Sequence, residues 1–155
     1  MHDIPNTVYN GAKQLAQLGI TCTTVHALGG GQMIKAAKDG LVAGTPTGKT
    51  VPKLLAVTEL TSISDVILKH EQNCSLPMND QVISLAKTAK KANADGVICS
   101  PLEVKDLRKA VGDDFFYTSR QVSVPKAMQT MTKQELLPQP KQKNTVQAQS
   151  LLAAQ

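Results

Sequence analysis

Five polar positions in this 155-residue chain stand where chemistry is often built: Asp3 in "HDIPNT", His26 in "TVHALGG", Thr58 and Thr61 in "LLAVTELTS", and Ser100 in "DGVICSP". Each sits at or just past the end of an apolar or β-branched run. A carboxylate there can face a cation or a ribose hydroxyl, an imidazole can exchange a proton, and hydroxyls can orient a ligand edge. Each also has an ordinary reading. Asp3 could cap the helix that "PNT" begins, because carboxylates are favoured near helix N-termini. His26 could be a hydrogen-bonded strand-end residue, Thr7 a plain first-turn residue and Thr61 a turn residue. "GTPTGK" looks phosphate-like but lacks the G-x-x-x-x-G-K-[ST] spacing and a preceding strand. Cys22, Cys74 and Cys99 are odd in number, widely spaced and without a C-x-x-C pattern, so neither a disulfide frame nor a metal site is expected.

The spacing around these positions predicts the elements that hold them. From Asn6, the apolar positions Val8, Ala12, Leu15 and Leu18 recur at helical spacing, and Gly19 closes the segment as a C-cap. "ITCTTVHALGGG" is a β-branched run ending in His26 and a glycine cluster. Met33, Ile34, Ala37 and Leu41 mark a second helix, followed by the "GTPTGK" loop. "PKLLAVTEL" is a near-continuous apolar strand of the kind buried on both faces. A helix is expected over residues 78–93, with Val82, Leu85, Ala86 and Ala89 on one face. "DGVICS" reads as another short strand, "LEVKDLRKAV" as an amphipathic helix and "DDFFY" as the start of one more strand. Strict alternation of strand and helix gives an α/β fold with a parallel sheet and helical crossovers. A (β/α)8 barrel and an open doubly wound sheet both fit, since both place ligands at strand carboxyl ends.

Composition narrows the classes. Hydrophobic residues make up 41% of the chain, enough for one packed domain. No apolar run approaches the ~20 residues that span a membrane, and no charged-then-apolar signal opens the chain, so a cytoplasmic protein is expected. The net charge of +5 is uneven: residues 1–117 hold 12 Lys/Arg against 11 Asp/Glu, and residues 118–155 hold 5 against 1. The basic part has no Phe, Tyr or Trp on which bases could stack, so no nucleic-acid partner is expected. That segment has eight Gln and three Pro in 38 residues, and its short apolar pairs bury little, so it reads as a disordered polar tail.

Taken together, "HDIPNTVYNGA", "TVHALGG", "LLAVTELTS" and "ADGVICSPLEV" resemble the orotidine 5'-phosphate decarboxylase family. The likeness runs over residues 2–117, with four strand-end motifs in the family's order. It implies a TIM barrel of the (β/α)8 type, here partial, in homodimeric form. It also implies conversion of orotidine 5'-phosphate to UMP and CO2 in pyrimidine biosynthesis, with no metal or organic cofactor. Asp3 matches the second aspartate of the family's D-x-K-x-x-D signature. The first aspartate and the lysine would lie five and three positions earlier, ahead of Met1, so the chain is expected to begin inside the active-site strand. In the family's chemistry a carbanion-like centre develops at C6 of the pyrimidine ring. One carboxylate crowds the departing CO2, and the lysine stabilises the charge and delivers the proton. By resemblance Asp3 is catalytic, reaching across the dimer to the lysine array and ribose of the neighbouring site. Ile4 and Thr7 match substrate-binding residues of the same cross-subunit pocket, and Thr61 matches the residue on the pyrimidine edge.

Where the family continues into "TPGIRP", its phosphate-gripping loop, this chain has "TSRQVSVP". Ser119 to Pro125 can be written TCA CGC CAG GTA TCC GTC CCA; reading from the third base gives Thr-Pro-Gly-Ile-Arg-Pro. Gln149 to Gln155 can be written CAA TCG TTG TTG GCC GCC CAA, and the same offset gives Ile-Val-Val-Gly-Arg-Pro, the family's second phosphate loop. The expectation is therefore a partial barrel over 1–117 and a non-homologous, frameshifted tail over 118–155, in a chain inactive by itself. Two other readings compete: another decarboxylase of the same superfamily acting on a sugar-phosphate acid, and a non-catalytic interaction protein. "TELTS" and the hidden "TPGIRP" favour the pyrimidine enzyme over the first; saturable partner binding by the tail would favour the second.

Overall fold

The computed structural model describes residues 1–118, all within the compact unit Met1–Ser123. Helix α1 (Pro5–Gln17) starts at a proline, whose fixed φ suits the first helical position and whose missing N–H has no helical acceptor to lose. Gly19, just past its end, has φ +74°, the left-handed turn for which the expected glycine cap is suited. Strand β1 (Cys22–His26) leads through a tight turn, Ala27–Gly29, into α2 (Gly30–Gly44), and β2 (Lys53–Val57) follows. Helix α3 (Asp65–His70) is absent from the sequence expectation. Its start is Ser64, whose hydroxyl accepts from the Ile67 N–H, with Asp65 in the first turn and Lys69 and His70 in the last. Helix α4 (Met78–Lys91), β3 (Gly96–Ile98), α5 (Val104–Val111) and β4 (Phe116–Thr118) complete the order. The polar tail expected from residue 118 lies outside the described residues, apart from Thr118 itself.

The strands pair in parallel in chain order, β1-β2-β3-β4. An open doubly wound sheet reverses its order at a switch point, and no reversal occurs among the described strands; sequential order is that of a barrel. Alternation along each strand gives the sheet two faces. Val25, Leu54, Ala56 and Val97 are buried in one core with Val8, Ala12, Met33, Ile34, Leu41, Val82 and Leu107 of the helices. On the other face the register aligns Thr24, Leu55, Gly96 and Phe116 in one row, and His26, Val57, Ile98 and Thr118 in the next. Gly96 lets β4 approach: a Cβ there would strike the Phe116 carbonyl.

Asp95 ties the amino ends of the strands together. Its Oδ2 accepts from the Leu54 N–H at 2.8 Å and from Lys38 Nζ at 2.6 Å, and its Oδ1 accepts from Lys53 Nζ at 3.3 Å. Burial by itself would raise the carboxyl pKa, but the Leu54 N–H and the Lys38 ammonium overcome it and hold the group below its ordinary 3.8. A depressed folded-state pKa means the contribution is complete above the ordinary carboxylate range and is lost as pH falls through the folded value. Asp95→Ala is expected to cost about 2–3 kcal/mol at neutral pH, read from urea midpoints. The difference from the parent should shrink as pH drops below about 4. A constant difference down to acid pH would contradict this account of the carboxylate.

Candidate active site

The carboxyl edge of the sheet gathers the predicted positions. Met1 lies alongside β1: its nitrogen donates to the Thr24 carbonyl at 2.9 Å, and its carbonyl accepts from the His26 N–H at 2.9 Å. That is the bonding of a parallel ladder. The backbone ahead of α1 therefore extends the sheet past β1 and delivers Asp3 to the strand-end edge. Asp3 is exposed, and its Oδ1 accepts from the Ile4 N–H at 2.6 Å. Ile4 is the N-cap residue of α1, and among the described residues Asp3 accepts from its N–H and from none of the first-turn N–H groups, so it does not cap the helix. Ile4 is 65% exposed, and Thr7 is exposed in the first turn of α1.

Past β2, the two threonines divide. Thr58 is fully buried, and both its N–H and its hydroxyl donate to the Ile98 carbonyl at 3.1 Å, a bond that fixes the β2 and β3 ends. Thr61 is exposed in the following turn. No hydrogen bond among the described residues joins Thr61 to Asp3, Ile4 or Thr7. They share an edge of the sheet, on different segments. Ser100 serves its own turn: its N–H donates to Glu103 Oε2 at 2.8 Å and its hydroxyl accepts from the Leu102 N–H at 3.4 Å.

Two residues at this edge differ from the sequence reading. Glu59 went unremarked, yet it is 5% exposed, its carboxylate accepting from Gln72 Nε2 and Gln81 Nε2, each at 3.4 Å. A charge inside "LLAVTEL" was the available signal. His26 was read as a hydrogen-bonded strand-end residue; its backbone is bonded, but its buried Nδ1 has no partner. Its ring instead stacks on His2, with centroids 5.7 Å apart and planes 21° from parallel. Burial is the main cause that lowers the His26 pKa from its ordinary 6.5, and His2 adds to it; Glu59 opposes.

Around these groups the segments that follow Met1, β1, β2 and β3 each expose one large apolar side chain: Ile4, Leu28, Leu60 and Leu102. Among the described residues no group of three or more His, Cys, Asp or Glu is placed to hold a metal ion. Cys22, Cys74 and Cys99 are unpaired, and burial pushes the Cys99 thiol up to about 11. A cavity of about 650 Å³ is lined mainly at the amino ends of the strands, by Thr21, Lys53, Asp95 and Asp114, and reaches along the sheet past Leu55 and Phe116 to Thr118. Barrels build their sites at the carboxyl ends, so this cavity is not the candidate site.

Residues 1–148 match the family described as Orotidine 5'-phosphate decarboxylase / HUMPS. The orotidine 5'-phosphate decarboxylase of Lactobacillus johnsonii is 81% identical over 119 residues, covering 77% of this chain and 51% of that protein. Its counterpart in Enterococcus faecalis is 48% identical over 115 residues, covering 74% of this chain and 48% of that protein. The crystal structure of orotidine 5'-phosphate decarboxylase from Lactobacillus acidophilus aligns with a TM-score of 0.75 at 76% identity, over 77% of this chain and 53% of that one. The chain spans about half the length of the curated relatives it matches. Its sequential parallel sheet is accordingly part of a (β/α)8 barrel. Strand order, strand-end motifs and these likenesses agree: the chain belongs to the orotidine 5'-phosphate decarboxylase / HUMPS family.

Proposed function

We propose that this chain provides half of a cofactor-free decarboxylase barrel that converts orotidine 5'-phosphate to UMP and CO2, in the cytoplasm, as a homodimer. The observation that carries the reading is the state of Asp3. It is exposed at the carboxyl edge, one oxygen held by the Ile4 N–H and the other without a hydrogen bond among the described residues. Such a carboxylate is oriented yet able to accept from an ammonium or a ribose hydroxyl of a neighbouring subunit. The exposed apolar side chains along the strand-end segments, Ile4, Leu28, Leu60 and Leu102, suit burial against a second subunit at this edge. In this reading Asp3 organises the lysine array that meets the charge developing at C6. Ile4 and Thr7 complete the pocket across the interface, and Thr61 accepts or donates at the pyrimidine edge.

The test is a chimera in which residues 2–117 replace the matching segment of the full-length Lactobacillus johnsonii protein. The chimera is expected to release CO2 from orotidine 5'-phosphate at a rate comparable to the parent's. Thr61→Ala within it should raise KM about tenfold, the loss of one ligand hydrogen bond. A folded chimera without turnover would contradict the reading. We further propose that residues 118–155 are the family's coding sequence read out of frame. The family match reaches residue 148, so the nucleotide sequence is the deciding observation. The codons written above would support the proposal, and codons that spell neither phosphate loop in the shifted frame would overturn it.

A further inference from the structure

"TVHALGG" is a strand-end motif to which the proposed chemistry assigns no residue. His26 of this motif touches the Asp3 segment twice. Its N–H donates to the Met1 carbonyl at 2.9 Å, and its ring stacks on His2, the residue directly before Asp3. The turn lies close by: a Cβ built on Gly29 would strike the Met33 side chain and lie 3.2 Å from His2 Cδ2, so the bare glycine leaves room for both. His2 is thus stacked on the His26 imidazole with the Gly29 turn close to its ring. Nothing among the described residues hydrogen-bonds the His26 ring, whose Nδ1 is buried without a partner. Stacking, rather than a polar contact, orients the two rings relative to each other.

We propose that His26 is a positioning residue: with Gly29 it forms a cradle for His2, and through His2 it fixes where Asp3 stands at the edge of the sheet. The proposal rests on the role given to Asp3 above, but the cradle has its own readout. The groups that bear on the His26 ring are His2, the Met1 nitrogen and Glu59. Burial disfavours a charge on His26 most, the first two add to it, and Glu59 opposes them. A planar ring without nitrogens should therefore serve as well. Phenylalanine also removes the unpartnered Nδ1, so the variant should be at least as stable as the parent.

The experiment compares His26→Ala, His26→Phe and Asp3→Asn in the full chain. The first readout is amide hydrogen exchange at residue 26, whose N–H bonds Met1, with the Leu54 and Val97 amides as controls for global opening. His26→Ala should speed exchange at residue 26 about tenfold over the controls, and His26→Phe should leave it unchanged. The second readout is turnover of orotidine 5'-phosphate in a mixed dimer with a full-length relative lacking its own counterpart of Asp3. There His26→Ala should lower kcat about tenfold with KM unchanged, and His26→Phe should restore it, whatever the thermal midpoints do. Exchange at residue 26 indifferent to alanine, or turnover that tracks stability across the variants, would overturn the proposal. Asp3→Asn that leaves mixed-dimer turnover intact would overturn the Asp3 role itself, with the exchange result still reporting on the cradle alone.

Discussion

A polypeptide made of these 155 residues and no others is expected to release CO2 from orotidine 5'-phosphate no faster than buffer. The family's chemistry needs an ammonium beside C6 to receive the developing charge and return a proton. The signature places that lysine three positions before Asp3, and the sequence has none there. The "TPGIRP" segment that the resemblance leads one to expect is likewise absent from the residues after Thr118. Binding energy from a remote phosphate normally supports the chemical step, so its loss lowers the rate as well as the affinity. Members of a catalytic unit are not additive: removing one costs about as much as removing all, commonly about 10⁴-fold or more. In the proposed reading, Asp3 and Thr61 cannot compensate. The check is CO2 release by the purified chain against a buffer blank, and turnover above the blank would refute this division of labour.

Gly40→Ala and Gly44→Ala are expected to destabilise the fold, although alanine is the better helix former. By propensity each change should gain about 1 kcal/mol. Packing reverses that sign. A Cβ on Gly40 would strike the Tyr9 carbonyl, and one on Gly44 would strike the Lys13 carbonyl, so α1 and α2 meet backbone to backbone along this seam. A flexible side chain could swing aside, but a helix backbone cannot. Helix α1 would have to lift off α2, opening the packing of Ala12 and Leu41, which are fully buried. Overpacking of this kind costs about 1–3 kcal/mol per site and occasionally more, so the double variant should lose about 4 kcal/mol. Against a typical domain stability of about 5–15 kcal/mol, that is a large fraction. Urea midpoints of the single and double variants read it directly; a double variant as stable as the parent would mean that the helices part at little cost.

What the sequence disclosed and what it hid divide along range. Strands and long helices were legible because their signals are local. Val82, Leu85, Ala86 and Ala89 repeat within α4, and all four are buried. "PKLLAVTEL" is longer than the strand it contains: Pro52 has no N–H for a ladder, and Thr58 and Glu59 lie past Val57, the last residue in register with β3, leaving Lys53–Val57 as strand. Helix α3 is six residues, too short for a hydrophobic period, and only its Ser64-Asp65 start announced it. Barrel and open sheet were inseparable by pattern, since both alternate strand and helix; strand order, a long-range property, separated them. The residues missed at the site share this cause. Glu59 accepts hydrogen bonds from Gln72 and Gln81, 13 and 22 residues away, and His26 meets His2 from the far side of α1 in the chain. No local window contains such contacts.

The most direct measurement of the central claim, that this chain carries a family half-barrel whose working carboxylate is Asp3, is CO2 release by a mixture. The full chain is combined with a full-length relative in which the counterpart of Asp3 is asparagine, and turnover of orotidine 5'-phosphate is followed as the chain is titrated in. The account predicts saturable CO2 release that neither component gives by itself, and its abolition when the chain carries Asp3→Asn. No release from the mixture, or release that survives Asp3→Asn, would contradict it.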